Sequence, residues 1–102
     1  MRRTDKYGLT ERDMQTITGI LSRYGNVKKA LLFGSRAKGM FHSGSDIDIA
    51  IVDGNIDYKT IRKIKSEFSE SSLPYCVDLV NFSSLTNPNL KEHILRVGQP
   101  IR

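Results

Sequence analysis

Two stretches of this chain hold residues whose types and spacing suit chemistry. An apolar run, Ala30-Leu31-Leu32-Phe33, ends in Gly34-Ser35, ten residues intervene, and a second apolar run then opens with Asp46-Ile47-Asp48 and continues to Val52. In a β-strand residues i and i+2 share a face, so Asp46 and Asp48 point one way while Ile47, Ile49 and Ile51 point into a core. Carboxylates about 7 Å apart, at an effective dielectric near 20, repel by roughly 2–3 kcal/mol, and a divalent cation between them turns that repulsion into attraction. Oxygen ligands of this kind suit magnesium. Gly34 lets backbone approach a phosphate, the N–H groups of a short helix opening there bind anions, and Ser35 adds a hydroxyl donor. Together the two stretches describe a nucleotide–magnesium site. The bland alternative is a surface turn followed by a solvated strand end, which needs no second carboxylate in register.

Several elements must hold these residues in place. Thr10 is an N-cap with Glu11 and Asp13 in the first turn, and Met14, Ile17, Ile20, Leu21 and Tyr24 recur at helical spacing until Gly25. Val27 to Phe33 reads as a buried strand punctuated by Gly34, Ser35 to Lys38 as one helical turn, and Asp46 to Val52 as the next strand beyond the loop Gly39 to Gly44. A second long helix starts at Asp57, carries Ile61, Ile64 and Phe68 on one face, and stops before Leu73-Pro74. Tyr75 to Phe82 is a strong strand former interrupted by one acid, Asp78. A strand–helix–strand crossover lays this strand parallel to that of Asp46 and Asp48, whereas the first two strands, joined by about a dozen residues, run antiparallel. Gly34-Ser35 and Asp46 then meet at one edge with Asp78 nearby. Otherwise Asp78 is an edge-strand charge that discourages aggregation. A last helix begins at Asn87-Pro88, carries Leu90, Ile94 and Val97, and closes at Gly98.

The spacing Gly-Ser, ten residues, Asp-x-Asp, in the wording GSRAKG and SDIDIAI, resembles the signature of the DNA polymerase β-like nucleotidyltransferase superfamily. Within it the chain is similar to the minimal nucleotidyltransferases (MNT), in their MntA-type antitoxin branch, over roughly Val27 to Phe82 and more loosely throughout. The resemblance implies an α+β fold of order αβαβαβα with a small mixed sheet of three or slightly more strands. It also implies a third carboxylate on a neighbouring strand, the position filled by Asp78. Asp46, Asp48 and Asp78 are then the catalytic and metal-binding set for two Mg2+ ions. Gly34 and Ser35 hold the β- and γ-phosphates of ATP, with Arg36 offsetting their charge. The reaction is transfer of AMP to a hydroxyl, and two metals in such sites stabilise the attacking and leaving oxygens together. Asp78 is either general base or metal ligand only. This branch pairs with a small helical HEPN-type protein, often an RNase toxin, so the implied role is an antitoxin that adenylylates its partner. The competing reading is a catalytically silent nucleotide-binding subunit that neutralises or scaffolds a helical partner by binding alone.

Composition is consistent with one domain spanning residues 1–102, with 38% hydrophobic residues and only three prolines. No apolar run approaches the roughly 20 residues of a membrane span, and the charged start, Met1-Arg2-Arg3-Thr4-Asp5-Lys6, lacks the apolar core of a signal peptide, so a cytoplasmic protein is expected. The single cysteine, Cys76, permits no internal disulfide and reads as a small core residue in a strand. The net charge of +5 suggests an anionic ligand or partner. Lys28-Lys29 and Lys59, Arg62, Lys63 and Lys65 read as solvated faces, and an RNA-binding module rests on charge alone. His42 sits where it could touch phosphate or a partner, and His93 reads as solvated. Neither has a second ligand at metal spacing.

Overall fold

The computed structural model describes residues 4–42, 44–52 and 56–102. Met1 to Arg3 of the charged start and Ser43 of the connecting loop lie outside the described residues. Helix α1, Glu11–Ser22, starts on a capping box in which the Thr10 hydroxyl accepts from the Asp13 N–H and the Asp13 carboxylate accepts from the Thr10 N–H, both at 3.0 Å. It ends at Ser22, short of Gly25, with Arg23 as its C-cap. Strand β1 is Ala30–Phe33 and does not begin at Val27, whose N–H instead donates to Tyr24 O at 2.9 Å in the turn after α1. Helix α2, Gly34–Ala37, is the single expected turn, and β2 is Ile47–Ile51. Helix α3, Tyr58–Ser69, is capped by the Asp57 carboxylate, which accepts from the Thr60 N–H at 2.8 Å. A hydrogen bond from the Thr60 side chain first, and this backbone bond second, hold the Asp57 pKa below its ordinary value. Strand β3, Val77–Asn81, leads through a 3-10 turn, Phe82–Ser84, to α4, Pro88–Val97, capped by Asn87 with proline in its first turn.

The sheet has the order β3-β2-β1 and then a fourth strand, β4, Gln99–Pro100, which fits the expected sheet of three or slightly more strands but lies where the sequence reading assigned none. Two residues, one of them proline, carry no strand signal. Pro100 has no N–H to contribute, a lack tolerated at a sheet edge, where β4 lies antiparallel to β1. As expected, β1 and β2 pair antiparallel and β2 and β3 parallel. The alternation of side chains makes two unequal faces. Ala30, Leu32, Ile47, Ile49, Ile51 and Leu79 pack with Ile17, Ile20 and Leu21 of α1 and Ile61, Ile64 and Phe68 of α3 into the main core. On the other face Leu31, Phe33 and Ala50 pack with Ile94 of α4, flanked by Leu90 and Val97. Among the described residues no helix is long and apolar enough to cross a membrane.

Candidate functional site

The smaller face carries Asp48 and Asp78, two of the acids that the sequence singles out. Phe33 of β1 stands opposite Asp48 of β2, and Asp48 stands opposite Asp78 of β3. Residues in register on adjacent strands share a face, so both carboxylates lie on the side that α4 covers over Leu31, Phe33 and Ala50. Asp46, two residues before Asp48, lies just ahead of β2 and is exposed, as is Asp78, while Asp48 is half-buried. Burial, and then the charges of Asp78 and Asp46, push the Asp48 carboxyl up to about 6. The fold thus brings Asp78 and Asp46 within electrostatic reach of Asp48.

Gly34 follows Phe33 directly and has a φ of 75°, a left-handed conformation that L side chains rarely adopt. A Cβ built there would overlap the Asp48 carboxylate and sit 3.1 Å from its Cγ. Glycine is therefore required twice over, and it brings backbone against the central acid. Ser35 sits on the second position of α2, where helical N–H groups lack partners one turn back. Its hydroxyl is half-buried and makes no hydrogen bond among the described residues.

Arg36 departs from expectation. Its side chain is buried, 1% exposed, and its guanidinium donates to backbone carbonyls: Nε and Nη2 to Ser45 O at 3.1 and 2.9 Å, and Nη1 to Tyr7 O at 2.8 Å. The rings of Tyr75 and Phe41 lie 4.3 and 5.2 Å from it. Where the resemblance implies a guanidinium beside the triphosphate, the structure shows Arg36 buried and bonded to the chain's own carbonyls. Ser45 was missed: it is buried, and its hydroxyl accepts the His42 N–H at 2.9 Å. No periodicity or spacing signals such a pin. His42 turns inward on its own loop, its Nδ1 accepting from Gly44 N–H at 3.2 Å. His93 is not solvated but half-buried, edge-on to Phe33 at 6.2 Å. Cys76 is exposed and precedes β3, correcting its reading as a core strand residue, because the alternation that buries Leu79 turns it outward. A groove of about 440 Å³ is lined by Tyr24, Lys59, Arg62, Lys63, Ser66 and Glu67 and by none of the three acids.

The donor set fits magnesium by its chemistry: hard carboxylate oxygens, crowded enough to raise a pKa, beside a backbone that admits phosphate. Among the described residues no three or more His, Cys, Asp or Glu are grouped so that together they could hold a metal ion. Magnesium does not call for such a group, since it is commonly held by one or two carboxylates, waters and substrate phosphates.

The sequence model of the family described as Polymerase beta, Nucleotidyltransferase matches residues 15–102. A Haemophilus influenzae (strain Rd) protein named Probable protein adenylyltransferase MntA is 39% identical over 66 residues, which are 64% of this chain and 57% of that protein. The chain thus spans little more than half the length of that relative. A crystal structure described as a toxin–antitoxin with AMP-PNP superposes with a TM-score of 0.72 at 25% identity, covering 88% of this chain and 73% of that one. A tri-AMPylated HEPN toxin from Shewanella oneidensis in complex with MNT antitoxin gives a TM-score of 0.65 at 22% identity, covering 87% and 68% of the two chains, a likeness of fold.

Proposed function

The chain belongs to the polymerase beta nucleotidyltransferase family, and from that premise we propose that it transfers AMP from ATP to a hydroxyl on a helical HEPN-type toxin and so acts as an antitoxin. The observation that carries the reading is the row in which Gly34, Asp48 and Asp78 converge on one sheet face, with Asp46 two residues before Asp48. Gly34 and Ser35 receive the β- and γ-phosphates through backbone N–H groups and the free hydroxyl. Asp46 and Asp48 would hold a magnesium ion and, with Asp78, a second, which when bound neutralise triphosphate charge and lower the pKa of the acceptor. In this reading the acceptor oxygen attacks the α-phosphorus, the bond from that phosphorus to the pyrophosphate breaks, and the hydroxyl proton goes to Asp78 as general base or, where Asp78 is a metal ligand only, to water. Support for the substrate and partner comes from the adenylyltransferase relative and from the toxin–antitoxin structure with AMP-PNP. A tyrosine or similar hydroxyl near a basic RNase cleft, once carrying a phosphodiester, would repel RNA and block the cleft.

The test is to co-express the chain with the product of its genomic neighbour, purify both and weigh the neighbour by intact mass spectrometry. The expected result is a gain of one or more nucleotide monophosphates that disappears in Asp46→Asn/Asp48→Asn. A stable complex whose neighbour stays unmodified, even with each nucleoside triphosphate and magnesium, would establish the silent binding subunit instead.

A further inference from the structure

We propose that Arg36 is a positioning residue that sets the direction of the Asp46 carboxylate and so couples the two halves of the Gly-Ser and Asp-x-Asp motif. This rests on the nucleotidyl-transfer reading above. The three acids are not held alike. Asp48 and Asp78 are fixed by ladder pairing within β2 and β3. Asp46 precedes the first rung, which is the bond from Ile47 N–H to Cys76 O at 2.9 Å. Its orientation is therefore set by the Ser45–Asp46 peptide, because the Ser45 carbonyl and the Asp46 N–H share one rigid plane. Arg36 grips that carbonyl with two donors, at 3.1 and 2.9 Å.

The grip is itself anchored. The third bond, to Tyr7 O at 2.8 Å, ties the guanidinium to the segment before α1, and the Tyr75 and Phe41 rings fix its plane. Gly8, with φ of 73°, leaves the room: a Cβ there would lie 2.9 Å from Arg36 Nη1 and 2.8 Å from Phe41 Cζ. On the far side, the Ser45 hydroxyl pins His42 N–H. Arg36 belongs to α2, the turn that begins with Gly34 and Ser35, so one side chain joins the phosphate-approaching turn to the acid it must face. A lysine offers a point charge without the fork and cannot reproduce a double grip on one carbonyl together with a bond to another.

Groups that orient metal ligands typically change metal affinity by 10–100-fold when removed. The experiment measures, by calorimetry well below each melting temperature, the magnesium concentration that half-saturates ATP binding in wild type, Arg36→Lys and Arg36→Met. Each is repeated in an Asp46→Asn background. The expected result is at least a tenfold higher magnesium requirement in both variants, rescue of ATP binding by excess magnesium, and little further change once Asp46 is asparagine. A purely structural role would lower the melting temperature and leave the requirement of the folded protein unchanged, which would overturn the inference. Should both Arg36 variants fail to fold, Tyr75→Leu, which frees one ring face of the guanidinium, is expected to raise the requirement about threefold, and an unchanged value there overturns it equally. Wild type that binds ATP without regard to magnesium would instead remove the nucleotidyl-transfer reading, a separate outcome.

Discussion

Asp48 is the residue on which the site's electrostatics turn. Its pKa is raised to about 6, by burial first and by Asp78 and Asp46 second. A carboxyl whose folded pKa lies above its unfolded value adds stability below about pH 4 and loses that contribution as pH rises through about 6. At neutral pH and without metal the charged side chain opposes folding. Asp48→Asn in chelator should therefore raise the melting temperature at pH 7 and leave it nearly unchanged at pH 4. Discounted for solvent screening of this half-exposed group, the effect is on the order of 1 kcal/mol, or about 4–8 °C for a domain of this size. Equal melting shifts at both pH values would remove the charge explanation. The residues that spacing named, Gly34, Asp46, Asp48 and Asp78, were legible because strand alternation and crossover handedness fix which side chains share a face before any packing is known. Arg36 was not legible in its true place. Its partners are the carbonyls of Tyr7 and Ser45, and every residue owns a carbonyl, so sequence carries no mark of which one a guanidinium will seek.

Among the elements, α4 is the cover of the sheet face that holds the acids, laid over Leu31, Phe33 and Ala50 through Ile94, with His93 against Phe33. Its start depends on Asn87, whose carboxamide oxygen accepts from Asn89 N–H at 2.9 Å and Leu90 N–H at 3.3 Å. Asn87→Ala should cost about 1 kcal/mol and should loosen α4 ahead of the rest of the fold. Hydrogen exchange is the suitable measurement: amides in the first turns of α4 should lose protection while those of β2 keep theirs. Uniform loss across both would mean that α4 does not open separately. The caps of α1, α3 and α4 were readable because Thr10, Asp57 and Asn87 each carry a short side chain that can satisfy local N–H groups. Strand β4 was not, since two residues pairing with a strand nearly seventy positions earlier reflect where α4 delivers the chain rather than any local preference.

At the scale of the whole molecule, one sheet serves two tasks: its larger face is an apolar core under α1 and α3, and its smaller face is shared between α4 and the acids. The division is enforced by register, because shifting β3 by one residue against β2 would carry Asp78 to the apolar side. Asp78→Asn should abolish AMP transfer while most ATP affinity survives, as Asp46 and Asp48 are the principal ligands of the proposed nucleotide-bridging metal. Normal turnover would remove Asp78 from the chemistry. The same substitution reaches further than catalysis. In the sheet order β3 is the terminal strand, and Asp78 is the single charge in the eight residues Tyr75 to Phe82. Neutralised, that segment becomes an uncharged, β-prone, proline-free stretch at a sheet border, the kind of sequence that stacks with copies of itself into fibrils. Asp78→Asn protein should thus scatter light and bind amyloid dyes on storage sooner than wild type, so that the carboxylate proposed for catalysis also guards colloidal shelf life.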